Sequence, residues 1–105
     1  MREASFILPL ADNHGHEIEW LHEELVTVIV LRFGGCTMAD VTGAWSDNGK
    51  LYLEPGRRYT VAVAEDKDDA ALLDIAAQYA KRAAQKALYY VSRNGRVMIV
   101  NLEGK

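Results

Sequence analysis

Three histidines, His14, His16 and His22, fall close together, and Glu23 adjoins the last of them. Neutral imidazoles ligate zinc, nickel or copper, and a His-x-His pair on an extended loop can chelate, so His14, His16 and His22 form a candidate metal set. The spacing carries no signature. His16-Glu17 is followed by Ile18-Glu19-Trp20, so the metalloprotease pattern of two histidines four apart is absent, and a polar turn entering a helix accounts for the same residues. A second set could do general acid and base work: His22, Asp40, Tyr52 and Tyr59, with Arg57 or Arg58 orienting an anion. The ordinary reading is that the tyrosines bury their rings while the charged groups meet water. In a third set, Tyr89, Tyr90, Arg93 and Arg96, aromatic and basic residues alternate as they do on sheets that stack bases. The strand signature of RNA-recognition modules is missing.

The elements that must position these groups follow from periodicity. Ser5 to Leu10 reads as a first strand, and Asp12-Asn13-His14-Gly15 as a turn. Ile18, Leu21, Leu25, Val28 and Ile29 recur at helical spacing, which predicts a helix from Glu17 to Phe33 that Gly34-Gly35 ends. Its apolar surface is broad, because Trp20, Val26, Val30 and Leu31 lie off the main stripe. Val41, Gly43 and Trp45 alternate in a strand, and Asp47-Asn48-Gly49 supplies the positive φ of a tight hairpin. Pro55-Gly56 predicts a break, leaving Lys50–Glu54 and Arg58–Ala64 as separate segments. A second helix opens at Asp66 or Asp68 as N-cap, with Leu72, Ile75, Ala76, Tyr79, Ala80 and Ala83 facing inward. Ala87–Ser92 and Val97–Leu102 flank Arg93-Asn94-Gly95-Arg96 as a last hairpin. The order strand, helix, strand, strand, helix, strand, with one added strand, predicts an α+β fold: a split βαβ, ferredoxin-like antiparallel sheet with both helices on one face.

With 105 residues, half of them apolar, the chain suits one domain over 1–105. A net charge of −3 argues against strong nucleic-acid attraction by the whole chain, although acidic residues crowd its first third and basic ones its end. Cys36 is the lone cysteine, so no internal disulfide forms, and no apolar run is long enough for a secretory signal or a membrane span. These features lead us to expect a cytoplasmic protein. No phosphate loop, dinucleotide glycine motif, nucleophile elbow or CxxC occurs, which excludes the commonest nucleotide-hydrolysing, dinucleotide-dependent, serine-hydrolase and thioredoxin-type readings and implies no cofactor.

The succession RFGGCT, GAW, DNGK, LEP and IAAQYAKRAAQKALYYV resembles a family of small ferredoxin-like proteins of bacteria, phages and plasmids. What this resemblance implies is the fold, since no activity is established for that family. From size, the absence of a catalytic constellation and the sheet face that two helices leave bare, the expectation is a non-enzymatic, homo-oligomeric binding or interaction module. The large aromatics Trp20, Trp45, Tyr52 and Tyr90 are expected to line its shared surface. An unidentified protein or small ligand would be a further partner. The alternatives are a small-molecule enzyme of the dimeric ferredoxin-like type and a nucleotide or nucleic-acid binder using the sheet face.

Overall fold

A computed structural model describes residues 1–103 of the chain. Its elements run β1 (Arg2–Pro9), α1 (Glu19–Phe33), β2 (Thr37–Asp47), β3 (Lys50–Val63), α2 (Asp66–Arg82), β4 (Ala87–Val91) and β5 (Val97–Asn101). The strands form one antiparallel sheet in the order β2-β3-β1-β4-β5, the ferredoxin-like arrangement with β5 added at an edge. α1 and α2 cover one face. No helix among the described residues is long and apolar enough to cross a membrane.

Local chemistry sets most boundaries. Asn48 and Gly49 adopt φ of 53° and 79°, so the β2–β3 connection closes as a two-residue turn between Asp47 and Lys50. Gly34 takes the left-handed conformation at φ 94° and donates its N–H to the Val30 carbonyl, which stops α1. α2 starts one residue before the expected cap. Glu65 is the N-cap, and its N–H bonds the Asp68 carboxylate at 3.1 Å, so Asp68 closes a capping box from inside the helix.

The expected interruption at Pro55-Gly56 does not occur, and β3 runs unbroken through both residues. The Pro55 carbonyl accepts the Leu10 N–H at 3.2 Å, so the main chain of Pro55 faces the side where β1 is ending. The missing N–H therefore costs no bond with β2. Gly56 is needed for a different reason: a Cβ there would lie 3.1 Å from both Ile7 Cγ2 and the Leu8 carbonyl oxygen. Beyond the Pro9–Gly56 pair, β2 and β3 continue as a two-stranded arm out to the Asp47–Lys50 turn, with no third strand alongside.

Alternation divides the side chains between two faces. Ala4, Phe6 and Leu8 of β1, Tyr59, Val61 and Val63 of β3, and Leu88 and Tyr90 of β4 meet Leu21, Leu25 and Ile29 of α1 and Leu72, Ala76 and Ala80 of α2 in one buried cluster. Phe6 stacks on Tyr59 at 5.2 Å and on Tyr90 at 6.4 Å, which makes an aromatic row across three adjacent strands. The helices are tied together at their surface by Glu24, which accepts the Tyr79 hydroxyl at 2.7 Å and pairs with Arg82.

The backbone contact at Gly56 predicts that Gly56→Ala destabilises the protein by about 1–3 kcal/mol in urea unfolding, since the Leu8 carbonyl cannot yield as a side chain would. Gly43→Ala is the matched control. A Cβ there meets only the Glu54 carbonyl oxygen, at 3.9 Å, and the unfolding midpoint should stay close to that of the parent.

Candidate functional site

The structure separates the three histidines. His14 and His16 lie on the exposed turn after β1 with ring centres 6.2 Å apart, while His22 is inside the protein at 1% exposure. The His16 N–H and the His14 N–H both bond the Asp12 carboxylate, at 2.9 and 2.8 Å, so the turn is held by its own backbone. No group of three metal-ligating side chains gathers among the described residues, and His14, His16 and His22 do not form one set.

His22 instead completes the core. Its Nε2–H donates to the Pro9 carbonyl at 2.8 Å, and its Nδ1 accepts the Tyr59 hydroxyl. Both nitrogens are engaged in the neutral tautomer, and burial holds the imidazole pKa below its ordinary value. Burial also pushes the Tyr59 phenol up to about 12, so neither group is poised to exchange protons near neutrality. Arg57 forms ion pairs with Glu19 and Asp40, each at 2.9 Å, and these bonds occupy the fork that was to orient an anion. Arg58 stands exposed on the opposite face of β3. The expected acid and base set is thus a structural network beneath α1, bordering a hollow of about 360 Å³ lined by Glu19, His22, Met38 and Arg57.

The face without helices holds the larger opening, a cleft of about 740 Å³. Trp45 on the arm forms one side, and Tyr89 of β4 with Ile99 of β5 forms the other. Ile7 and Gly56 floor it, and Gln85 reaches its rim. Trp45 and Tyr89 lie on strands three intervals apart, and Trp45 stands farther out along the arm, level with Tyr52, whereas Tyr89 is level with Ile7 and Arg58. Between them stands Glu54, half-buried beside Gly43 and Gly56, where loss of solvent raises its carboxyl pKa. Among the described residues, Glu54 is the one carboxylate that lines this cleft. Gly43, its register partner on β2, and Gly56, two residues along β3, add no side chain to the cleft.

Of the four aromatics expected on a shared surface, Trp45 and Tyr52 do share one, stacked at 5.4 Å on the arm. Trp20 is on the other side of the molecule, exposed on α1 beneath the Arg82 guanidinium at 5.6 Å. Tyr90 does not reach the surface. It is 1% exposed, with its hydroxyl on the Asp69 carboxylate at 2.6 Å, because the β1–β4 register pairs it with Phe6 on the helix side. Tyr89 is the aromatic that faces out. Arg93 is held by Asp66 and the Ala64 carbonyl, each at 2.9 Å, which removes half of the basic pair expected beside a nucleic acid. Glu54 and Tyr89 were missed as a pair. Reading Pro55-Gly56 as a break hid the alternation Tyr52, Glu54, Gly56, the signal that places Glu54 beside the arm's aromatics.

No protein-family model and no curated protein matches the sequence. Solved structures do match in fold. A phage SAM lyase in complex with S-methyl-5'-thioadenosine superposes with a TM-score of 0.69 at 11% identity, covering 98% of this chain and 91% of that one. A phage SAM lyase in the apo state gives the same TM-score at 14% identity, covering 98% and 90%. These neighbours correct two expectations. The small ferredoxin-like resemblance holds as architecture and extends to phage proteins, but it leads to proteins with a named activity. The expectation of a non-enzymatic module is contradicted, because the solved structures that share this fold are those of an enzyme.

The His22 geometry predicts acid sensitivity. A histidine whose folded pKa is depressed contributes stability that is complete above its unfolded value of 6.5 and declines as the pH falls below it. The urea midpoint should therefore drop between pH 7.5 and pH 5, and His22→Gln should flatten that dependence. Tyr59→Phe should cost about 1–3 kcal/mol at pH 7.5 by leaving the buried Nδ1 without its donor.

Proposed function

We propose that the chain is a small-molecule enzyme that binds an adenosyl sulfonium, S-adenosylmethionine, in the cleft on the open sheet face and cleaves it as a lyase. The observation that carries this reading is Glu54, the half-buried carboxylate between Trp45 and Tyr89. The fold shared with the phage SAM lyases supports it. A sulfonium ligand presents a planar purine, a positive sulfur and a polar amino-acid tail. Aromatic faces accept the first, a carboxylate short of water accepts the second, and the Gln85 Oε1 at the rim offers an acceptor to the ammonium of the third, its Nε2 being bonded to the Asn13 and Ala83 oxygens. A cleft of this volume is in the ordinary range for ligands of such size.

The charge arithmetic assigns Glu54 a role. Release of S-methyl-5'-thioadenosine breaks the bond from sulfur to the amino-acid chain as the substrate's own carboxylate oxygen bonds the same carbon and closes a lactone; the breaking bond's pair passes to sulfur, whose positive charge disappears, and no water or proton is consumed. A carboxylate paired with that charge stabilises the substrate and loses its partner as the reaction proceeds. Glu54 therefore selects the cation and favours product departure, and it does not lower the barrier by that attraction. At an effective dielectric near 20, two unit charges 4 Å apart interact by about 4 kcal/mol, which solvent at the cleft mouth reduces further.

Isothermal titration with both compounds tests the assignment. Glu54→Gln should weaken S-adenosylmethionine binding about tenfold or more and leave S-methyl-5'-thioadenosine within about twofold, while Trp45→Ala should weaken both. Binding of the cation should strengthen as the pH rises through the raised Glu54 pKa, with no such trend for the neutral thioether. Chromatographic detection of S-methyl-5'-thioadenosine released from S-adenosylmethionine reads the activity. No binding of either compound by the parent protein would overturn the proposal.

A further inference from the structure

The two edges of the sheet are unlike. β2 carries Asp40 and Asp47 along its length, charges of the kind that discourage a further strand from adding. β5 reads Val97-Met98-Ile99-Val100-Asn101, with no charge, proline or glycine. Val97 and Ile99 are 57% and 68% exposed. A neutral, apolar edge with unpaired backbone groups is a template for another strand.

The hydrogen bonds at the two ends of the β4–β5 ladder fix which backbone groups remain open. The Ser92 N–H donates to the Arg96 carbonyl at 2.9 Å, and the Leu102 N–H donates to the Lys86 carbonyl at 2.9 Å. In an antiparallel ladder, the bonded residues on one strand alternate with residues whose groups point away. Arg96, Met98, Val100 and Leu102 therefore turn their groups toward β4. Val97, Ile99 and Asn101 present N–H and C=O to the outer edge.

We propose that this edge pairs antiparallel with β5 of a second copy of the chain about a two-fold axis at Ile99, which joins the two sheets into one. The strand is self-complementary in that register. Ile99 opposes Ile99 of the second copy, Val97 opposes its Asn101, and every outward N–H meets a C=O. On the open face this sets Ile99 against Ile99, while Met98 meets Val100 on the helix side. Charge selects the same direction. Arg96 precedes the strand and Glu103 follows it, so antiparallel pairing sets Arg96 of each copy opposite Leu102 of the other and one position from its Glu103, basic end near acidic end, whereas parallel pairing would set like against like. The pairing needs no ligand, and of the residues that line the cleft it involves only Ile99.

A proline at Ile99 tests it, because that residue's N–H faces outward and its loss leaves the β4 ladder intact. The parent protein should show the mass of two chains by sedimentation at about 100 μM, with slow amide exchange at Val97, Ile99 and Asn101. Ile99→Pro should give one-chain mass with an unchanged far-ultraviolet spectrum, and Val97 and Asn101 should exchange fast. Arg96→Glu should weaken association, and adding Glu103→Arg to it should restore association. A parent protein of one-chain mass at that concentration would overturn the proposal, as would fast exchange at these amides or an assembly that survives Ile99→Pro.

Discussion

The aromatic row Tyr59–Phe6–Tyr90 is the constraint on which the rest of the structure depends. Phe6 lies at the centre of the sheet on β1, and its two neighbours bring rings from β3 and β4 against it. Each tyrosine then carries a hydroxyl to the layer above. The Tyr59 hydroxyl meets His22 of α1, and the Tyr90 hydroxyl meets Asp69 of α2. The apolar bodies close the sheet against the helices while the polar tips fix where each helix lies. A core built this way leaves little freedom in register, since a slip of one residue would turn all three rings to the other face.

The same arrangement explains why the open face is available for binding. With the large rings committed beneath the helices, the opposite side of β1, β2 and β3 carries Ile7, Gly43, Glu54 and Gly56, and the sheet is shallow there. The arm of β2 and β3 then raises Trp45 beside this floor. Support for the cleft comes through the sheet from the core: the Pro9 carbonyl that His22 engages from one side belongs to a residue that lines the cleft on the other. A buried, uncharged histidine thus supports the site without taking part in its chemistry.

Electrostatics separates the two sides as well. Beneath α1, Arg57 with Glu19 and Asp40 forms a satisfied network, in which the Arg57 hydrogen bond holds Glu19 below the usual carboxylate range and both carboxylates keep the guanidinium charged. On the open face Glu54 has no such partner among the described residues, and loss of solvent raises its carboxyl pKa. A carboxylate shifted by loss of water has the environment to prefer an incoming cation, whereas one already paired does not.

The sequence by itself determined the elements and their order. Helical spacing from Leu21 to Ile29, alternation around Tyr59 and Val61, and glycines at the turns are local properties, legible because each depends on residues only a few positions apart. It also determined that two helices could cover only one face. The tertiary structure decided which residues share that bare face and which lie beneath the helices. Pro55 continues β3 because its main chain faces the end of β1, a fact of strand neighbours that Pro55 and its flanking residues do not contain. Tyr90, expected at the surface, lies inside and Tyr89 faces out, because the register against Phe6 settles which of two adjacent rings goes inside. His22 belongs to the core through Tyr59, 37 residues away, and so parts from His14 and His16, its neighbours in the chain. Glu54 becomes a candidate site residue only when β2, β3, β1 and β4 lie side by side, because its chemistry depends on water that distant strands exclude.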